Sequence, residues 1–359
     1  MCGPLKDHTD IALIFASDNW AGAHPKIAEN LAKHASGLAA AYGGSDLDRK
    51  VANTFNEIFE REVAVFFVGT GTAANSLAMS AVARPGGVVL CHRDAHMIAD
   101  ECGAPEYFTH GRLSPVDGQF GRIDSANLES AIAKYPPAFV HSGQPAAISI
   151  TQATEIGTVY DLAQIGAISE IAKHHDLPLH MDGARFGNAL VSLDVTPAEM
   201  TWKSGVDIVS FGGTKNGCWC AEAIVFMKPE QSTQFPFIRK RAAQLFSKSR
   251  FIAAQFEAYF SDDLWLESAR HANAMTQRLA QHIENSASAR LGWAPQANEL
   301  FPVIKTATIE KLQKAGVTFY PWSTPRDLEG LISADESLCR FVTSFATTAE
   351  DVDQLGALL

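Results

Sequence analysis

Val206-Asp207-Ile208-Val209-Ser210-Phe211-Gly212-Gly213-Thr214-Lys215-Asn216-Gly217, residues 206–217, runs from a short apolar segment into a lysine set among small residues. The first six residues, rich in β-branched and aromatic types, read as a strand that the glycines end. Residues 63–68, 87–91, 137–141 and 177–181 repeat the pattern upstream, and 223–227 repeats it downstream. Longer segments with helical spacing of apolar residues lie between them. This alternation predicts right-handed crossover units and a mostly parallel sheet with helices on both faces. In such sheets ligands bind beyond the carboxyl ends of the strands. Gly69-Thr70-Gly71-Thr72, His96, Asp182 and Lys215, each at or after the end of a run, are therefore expected to gather.

Before the alternating region, residues 24–41 place Ile27, Leu31, Ala32 and Ala35 at helical spacing until Tyr42-Gly43-Gly44 stops them. A second helix is predicted over 46–61, with Val51, Phe55 and Ile58 on one face and Asp46 as N-cap. After the alternating region, 237–259 reads as one long helix with a basic face (Arg239, Lys240, Arg241, Lys248, Arg250) and an apolar one (Phe246, Phe251, Ile252, Phe256), and 265–284 as another. Strand candidates at 298–303, 317–320 and 338–345 and a closing helix from Thr348 predict a small α+β domain. The expected division is an N-terminal arm and helix (1–45), a large domain (46–258) and a small C-terminal domain (259–359). No internal repeat is visible.

The composition, 47% hydrophobic and 19% charged over 359 residues, is that of a globular chain. A net charge of −11 disfavours nucleic acid and anionic membranes, which would repel it. The N-terminus lacks a basic start followed by an apolar stretch, and no apolar run reaches the ~20 residues that span a bilayer, so a cytoplasmic protein acting on small molecules is expected. Cys2, Cys91, Cys102, Cys218, Cys220 and Cys339 are scattered, as reduced thiols are. Cys218 and Cys220 have no second pair or nearby histidine to complete a zinc set, and no metal is expected.

Three pieces carry chemistry. The Gly69-Thr70-Gly71-Thr72-Ala73-Ala74-Asn75 loop joins a strand to a helix, where amide groups and the helix dipole favour a phosphate, although a tight turn alone would read the same way. Asp182 ends Leu179-His180-Met181-Asp182, where a carboxylate can pair with a protonated ring nitrogen or cap the helix that follows. Lys215, reached directly from a strand, suits covalent chemistry at an amine.

The ordered set of phosphate loop, strand-end Asp and following Lys resembles fold-type-I pyridoxal-phosphate (PLP) enzymes. Phe15-Ala16-Ser17-Asp18-Asn19, Gly71-Thr72-Ala73-Ala74-Asn75, Asp94-Ala95-His96, His180-Met181-Asp182-Gly183-Ala184-Arg185, Gly213-Thr214-Lys215 and Leu338-Cys339-Arg340-Phe341-Val342-Thr343 are similar to the threonine aldolase family, from about Phe15 to the end of the chain. Thr151-Gln152-Ala153-Thr154-Glu155, Ala198-Glu199-Met200-Thr201-Trp202-Lys203 and the segment 343–351 resemble its L-phenylserine aldolase and low-specificity L-threonine aldolase branch.

The resemblance implies an α/β fold of the fold-type-I PLP-dependent transferase kind, a large mostly parallel sheet domain plus a small C-terminal α+β domain. It implies PLP as cofactor, with Gly71 and Thr72 on its phosphate, His96 stacked on its ring, Asp182 at the ring nitrogen, Arg185 beside it and Lys215 as the Schiff-base lysine. Ser17, Arg185 and Arg340 would hold the substrate carboxylate. The implied reaction is retro-aldol cleavage of L-β-hydroxy-α-amino acids (L-phenylserine, L-threonine or L-allo-threonine) to glycine and an aldehyde. A β-eliminating lyase, or a non-catalytic phosphate or nucleotide binder, is the alternative. Many relatives carry a histidine where this chain has Thr154, which leaves His96, or a water held by Thr154, as the base. A homodimer or homotetramer with shared sites is implied, with Tyr42 and Lys248 or Arg250 as the residues that cross. Trp20, Phe186 and Trp219 leave room for an aryl substrate or serve packing.

Overall fold

Apolar runs without a polar face become strands covered on both sides. The computed structural model, which describes residues 13–359 and so leaves Cys2 outside, contains β1 (Ala64–Val68), β2 (Gly87–His92), β3 (Arg112–Val116), β4 (Gly118–Gln119), β5 (Arg122–Ile123), β6 (Gln144–Thr151), β7 (Leu179–Gly183), β8 (Ile208–Gly212) and β9 (Glu222–Phe226). All of these lie in one compact unit, Gly22–Arg270. Seven form a sheet in the order β1-β9-β8-β7-β6-β2-β3. From β3 to β8 the pairs are parallel, and β9 runs antiparallel between β8 and β1. This is the expected α/β architecture. The β4–β5 pair is a separate hairpin.

Two strand assignments differ from the sequence reading. Residues 137–141 form a turn, with the Phe139 amide donating to Pro136 O at 3.0 Å and Val140 88% exposed. Two consecutive prolines cannot donate to a ladder, and the later run Gln144–Thr151 takes the place in the sheet. Strand β3 was hidden in sequence by Arg112, Ser114 and Pro115, which an edge strand tolerates.

The helix Asp46–Ile58 is capped by Ser45 rather than Asp46. Ser45 Oγ accepts from the Asp48 amide (3.1 Å) and Asp48 returns the bond to the Ser45 amide (3.2 Å). Its Phe55 enters an aromatic cluster with Phe211 (ring centroids 5.3 Å) and Phe256 (5.4 Å), and Phe186 joins at 5.1 Å from Phe211. Each fully buried phenylalanine contributes roughly 1.5–3 kcal/mol. The segment 237–259 is two helices, Phe235–Arg241 and Arg250–Phe260, because Ala243 takes φ +58° and breaks the turn.

In the second unit, 13–21 joins His271–Leu359. Its strands β10 (Ala289–Leu291), β11 (Glu299–Leu300), β12 (Pro302–Lys305), β13 (Tyr320–Pro321) and β14 (Glu336–Val342) pair antiparallel. The early residues are held by backbone bonds from Phe15 N to Thr318 O (2.8 Å) and from Val342 N to Phe15 O (2.9 Å). Phe15 meets Phe341 edge-on in a core that includes Leu312, Val352 and Leu355. Among the described residues no helix is long and apolar enough to cross a membrane.

Candidate active site

The carboxyl ends of the parallel strands carry most of the residues singled out above. Strand β1 feeds Thr70, whose hydroxyl accepts from the Ala73 amide (3.1 Å) and starts the helix Gly71–Val82. The first-turn amides of Gly71 and Thr72 face outward from the helix end, where no intrahelical acceptor exists. A Cβ on Gly71 would meet nothing within 4 Å, so the space above this end is open. At Gly69 the reverse holds, since a Cβ would come within 3.0 Å of the Phe246 ring.

Strand β7 delivers Asp182 into a buried position, 3% exposed. Its Oδ1 accepts from the Ala184 amide (3.1 Å) and its Oδ2 from Asn75 Nδ2 (2.9 Å). Asp182 does not cap the following helix, Phe186–Leu193, which has Arg185 at its N-cap position. Arg185 is itself buried. The neighbouring parallel strand β8, in register with Asp182 at Ser210, leads into the turn Thr214–Asn216 that holds Lys215, half-buried.

His96 opens a short helix after β2. Its Nδ1 lies 2.9 Å from Oε1 of the buried Glu101, and the same oxygen accepts from Asn75 Nδ2 at 2.8 Å. His96, Glu101, Asn75 and Asp182 thus form one continuous hydrogen-bonded chain. The Glu101 hydrogen bond holds the His96 pKa above the ordinary imidazole value against the effect of burial, with Glu155 and Asp182 adding and Lys215 subtracting. Burial pushes Glu101 above the ordinary carboxyl value, and the charge of Asp182 adds to it. On β9, Glu222 is buried within hydrogen-bonding reach of the Thr214 amide (3.4 Å), and burial pushes its pKa up to about 7 while Thr214 and Lys215 hold it down.

Ser17 and Arg340 fall in the other unit. Ser17 caps the turn Asp18–Trp20, its Oγ accepting from the Asn19 amide (3.2 Å). Arg340 donates to Ala16 O (3.3 Å), lies 4.4 Å from the Trp322 ring centre and stands 3.8 Å from a Glu299 carboxylate oxygen. These contacts bring Arg340 to the residue adjoining Ser17.

Other candidates are placed less suggestively. Thr154 is buried and its hydroxyl pairs with that of Thr158 (2.7 Å), inside its own turn. Phe186 is core, whereas Trp20 and Trp219 are exposed. Tyr42 bonds through its amide to Ser247 O (3.1 Å), Arg250 donates to Gly37 O (3.0 Å), and Lys248 is exposed.

Asn75, Glu101 and Glu222 were not assigned roles from sequence. Glu222 had the clearest signal, an acid inside the apolar strand Glu-Ala-Ile-Val-Phe. The signal for Asn75 was its place four residues after Gly71, on the same side of a helix.

The residues present fit a flat phosphorylated pyridine. An open helix end suits the phosphate, a buried carboxylate the ring nitrogen, a half-buried strand-end amine the carbonyl carbon, and an imidazole the ring face.

A sequence profile of the beta-eliminating lyase family matches residues 15–304. The chain is 38% identical over 353 residues to a low specificity L-threonine aldolase of Pseudomonas aeruginosa, covering 98% of this chain and 97% of that one. It is 39% identical to a low specificity L-threonine aldolase of a Pseudomonas species, covering 87% of this chain and 90% of the other. Among solved structures it is similar to the threonine aldolase of Leishmania major, with a TM-score of 0.88, 28% identity, and 96% and 98% of the two chains covered.

Proposed function

From the premise that this chain belongs to the beta-eliminating lyase family, with the threonine aldolases as its full-length relatives and PLP as its cofactor, we propose that it cleaves L-β-hydroxy-α-amino acids to glycine and an aldehyde. The observation that carries the reading is that Asp182 and the turn of Lys215 leave adjacent parallel strands at the same end of the sheet.

When bound, PLP supplies a conjugated electron sink for the pair released from the Cα–Cβ bond. Lys215 would hold the cofactor through its amine. Asp182, buried at the end of its strand, would pair with the ring nitrogen. Gly71 and Thr72 hold the phosphate through their amides. His96 would lie against the cofactor ring and take the β-hydroxyl proton. The Thr154 hydroxyl, committed to Thr158, is a poorer holder of a catalytic water. Arg185, Ser17 and Arg340 are assigned the substrate carboxylate, for which guanidinium groups are suited by their paired donors and fixed charge. A cytoplasmic homodimer or homotetramer, with Tyr42 and Lys248 or Arg250 reaching a neighbour's site, completes the proposal. The substrate range includes L-phenylserine with L-threonine and L-allo-threonine.

Turnover of these three substrates, with glycine and aldehyde quantified against ammonia and 2-oxo acid, tests the reaction. Glycine and aldehyde in equal amounts are expected. Ammonia with a 2-oxo acid would make the enzyme an eliminating lyase instead. Borohydride reduction followed by peptide mapping is expected to place the cofactor on Lys215, and a label on another lysine overturns the site.

A further inference from the structure

The chemistry assigned to His96 requires one ring nitrogen to exchange a proton, and a free imidazole does not decide which. Glu101 settles this. It is 3% exposed, and its Oε1 is the acceptor at which Asn75 Nδ2 (2.8 Å) and His96 Nδ1 (2.9 Å) converge. The orientation of Asn75 is fixed by its neighbours. It stands between two carboxyl groups, Glu101 and Asp182, and only its NH₂ has two hydrogens to give to both. As a carboxylate, Glu101 accepts at Oε1 on both sides, which puts a hydrogen on His96 Nδ1 and leaves Nε2 to gain or lose a proton.

We propose that Glu101 is a positioning residue that holds His96 in its Nδ1–H form with Nε2 as the proton-exchanging atom, and that Asn75 ties this pair to Asp182. The proposal rests on the reading of His96 as the base and deepens it. A carboxylate behind an imidazole raises its basicity and fixes its ring plane, as the partners of metal-bound histidines do. The charged groups that face His96 are Glu101, Asp100, Glu155, Asp182 and Lys215. Of these, Glu101 alone is hydrogen-bonded to the ring in the described residues. The bond to Glu101 raises the His96 pKa, whereas burial raises that of Glu101 and the bond to His96 holds it down. A base must lose its proton to act, so His96 sets the acidic limb of the kcat/KM profile. Removing the Glu101 charge lowers the His96 pKa and moves that limb to lower pH.

The test is Glu101→Gln, with Glu101→Asp as the conservative variant, in the PLP-loaded enzyme labelled with ¹⁵N-histidine. The His96 resonances are assigned by their loss in His96→Asn. In the unchanged protein the neutral ring is expected to carry its proton on Nδ1. Glu101→Gln is expected to lower the His96 titration midpoint, to shift the acidic limb the same way and to reduce kcat by about 10- to 100-fold, with KM little changed. Glu101→Asp is expected to recover part of each effect. A His96 titration and acidic limb unchanged in Glu101→Gln overturn the proposal, as does an Nε2–H ring in the unchanged protein. Failure of the underlying reading is separate, because full turnover by His96→Asn removes the base assignment whatever the titration shows. A Glu101→Gln protein that loses its fold is replaced by Asn75→Asp, which puts a second charge beside Glu101 and is expected to raise the His96 midpoint; a midpoint that stays or falls counts against the coupling.

Discussion

His180 and His96 belong to the same sheet unit, but their surroundings make opposite demands on a proton. His180 is 1% exposed inside the sheet, with Ser149 Oγ at 2.8 Å from Nδ1 and Ser210 Oγ at 2.9 Å from Nε2. Hydroxyls satisfy a neutral ring but cannot compensate a charge, and burial lowers its pKa to about 3. His96 lies at the strand ends against a carboxyl group that favours the charged ring. A single residue, Met181, separates His180 from Asp182 on one strand, so the change from structural to chemical polarity takes place over that short a distance. Polarity in the sheet interior fixes strands, and polarity at its carboxyl edge is arranged around acids.

The most severe way to break this comparison is to remove each ring. His96→Asn is expected to lower kcat by about 10²- to 10⁴-fold, the range of a lost general base, while leaving the melting temperature nearly unchanged. His180→Leu is expected to leave kcat within a few-fold while destabilising the fold at pH 7 by roughly 2 kcal/mol, because two buried hydroxyls lose a partner. Equal losses of kcat in the two folded variants would erase the distinction.

The same pair differs in acid. A pKa held near 3 lies below the unfolded value of about 6.5, so His180 contributes stability that is present above pH 6.5 and is lost as pH falls toward 3. The loss reaches roughly 4 kcal/mol by pH 3. Denaturant midpoints between pH 7 and 3.5 are expected to fall less steeply in His180→Leu than in the unchanged protein.

Glu222 sharpens the contrast from the opposite direction. Its folded pKa of about 7 lies above the unfolded carboxyl value, so the stability it contributes is complete below about pH 4.5 and is lost as pH rises through 7. The change amounts to roughly 3 kcal/mol. Glu222→Gln is therefore expected to be more stable than the unchanged protein at pH 8 and little different at pH 4.5, as read from denaturant midpoints. A stability difference independent of pH would show that Glu222 stays charged in the fold.

The smallest effect is a control placed away from the strand ends. Asp161 accepts from the Gln164 amide (2.7 Å) and Gln164 returns the bond to the Asp161 amide (3.0 Å), capping the helix Leu162–His174. Asp161→Ala is expected to cost about 1 kcal/mol of stability with no change in product or pH profile. An altered pH profile would mean that the helix position reaches the His96 network.

The sheet was legible in sequence because buried parallel strands have a compositional signature, and β7, β8 and β9 fell where apolar runs predicted them. The run at 137–141 misled because its apolar composition outweighed Pro137 and the Pro136 before it, and β3 was missed because an edge strand needs only one covered neighbour. Asp182 and Lys215 were legible as singular polar residues at the ends of apolar runs. Glu101 was not, because it follows a short helix and turn rather than a strand, and nothing local distinguishes it from a surface acid.

The sequence by itself determined which residue types stand at the strand ends, since alternation of apolar runs and helices forces those ends to one side of the sheet. Its relation to the threonine aldolases was also legible in the residues at those ends. Tertiary structure decided the protonation chemistry. Whether an acid or a histidine is charged depends on what else is within about 3 Å and on whether water can reach it, and both are set by long-range packing. Asn75 meets Asp182 across 107 positions of the chain, a contact that exists only once the strands are paired.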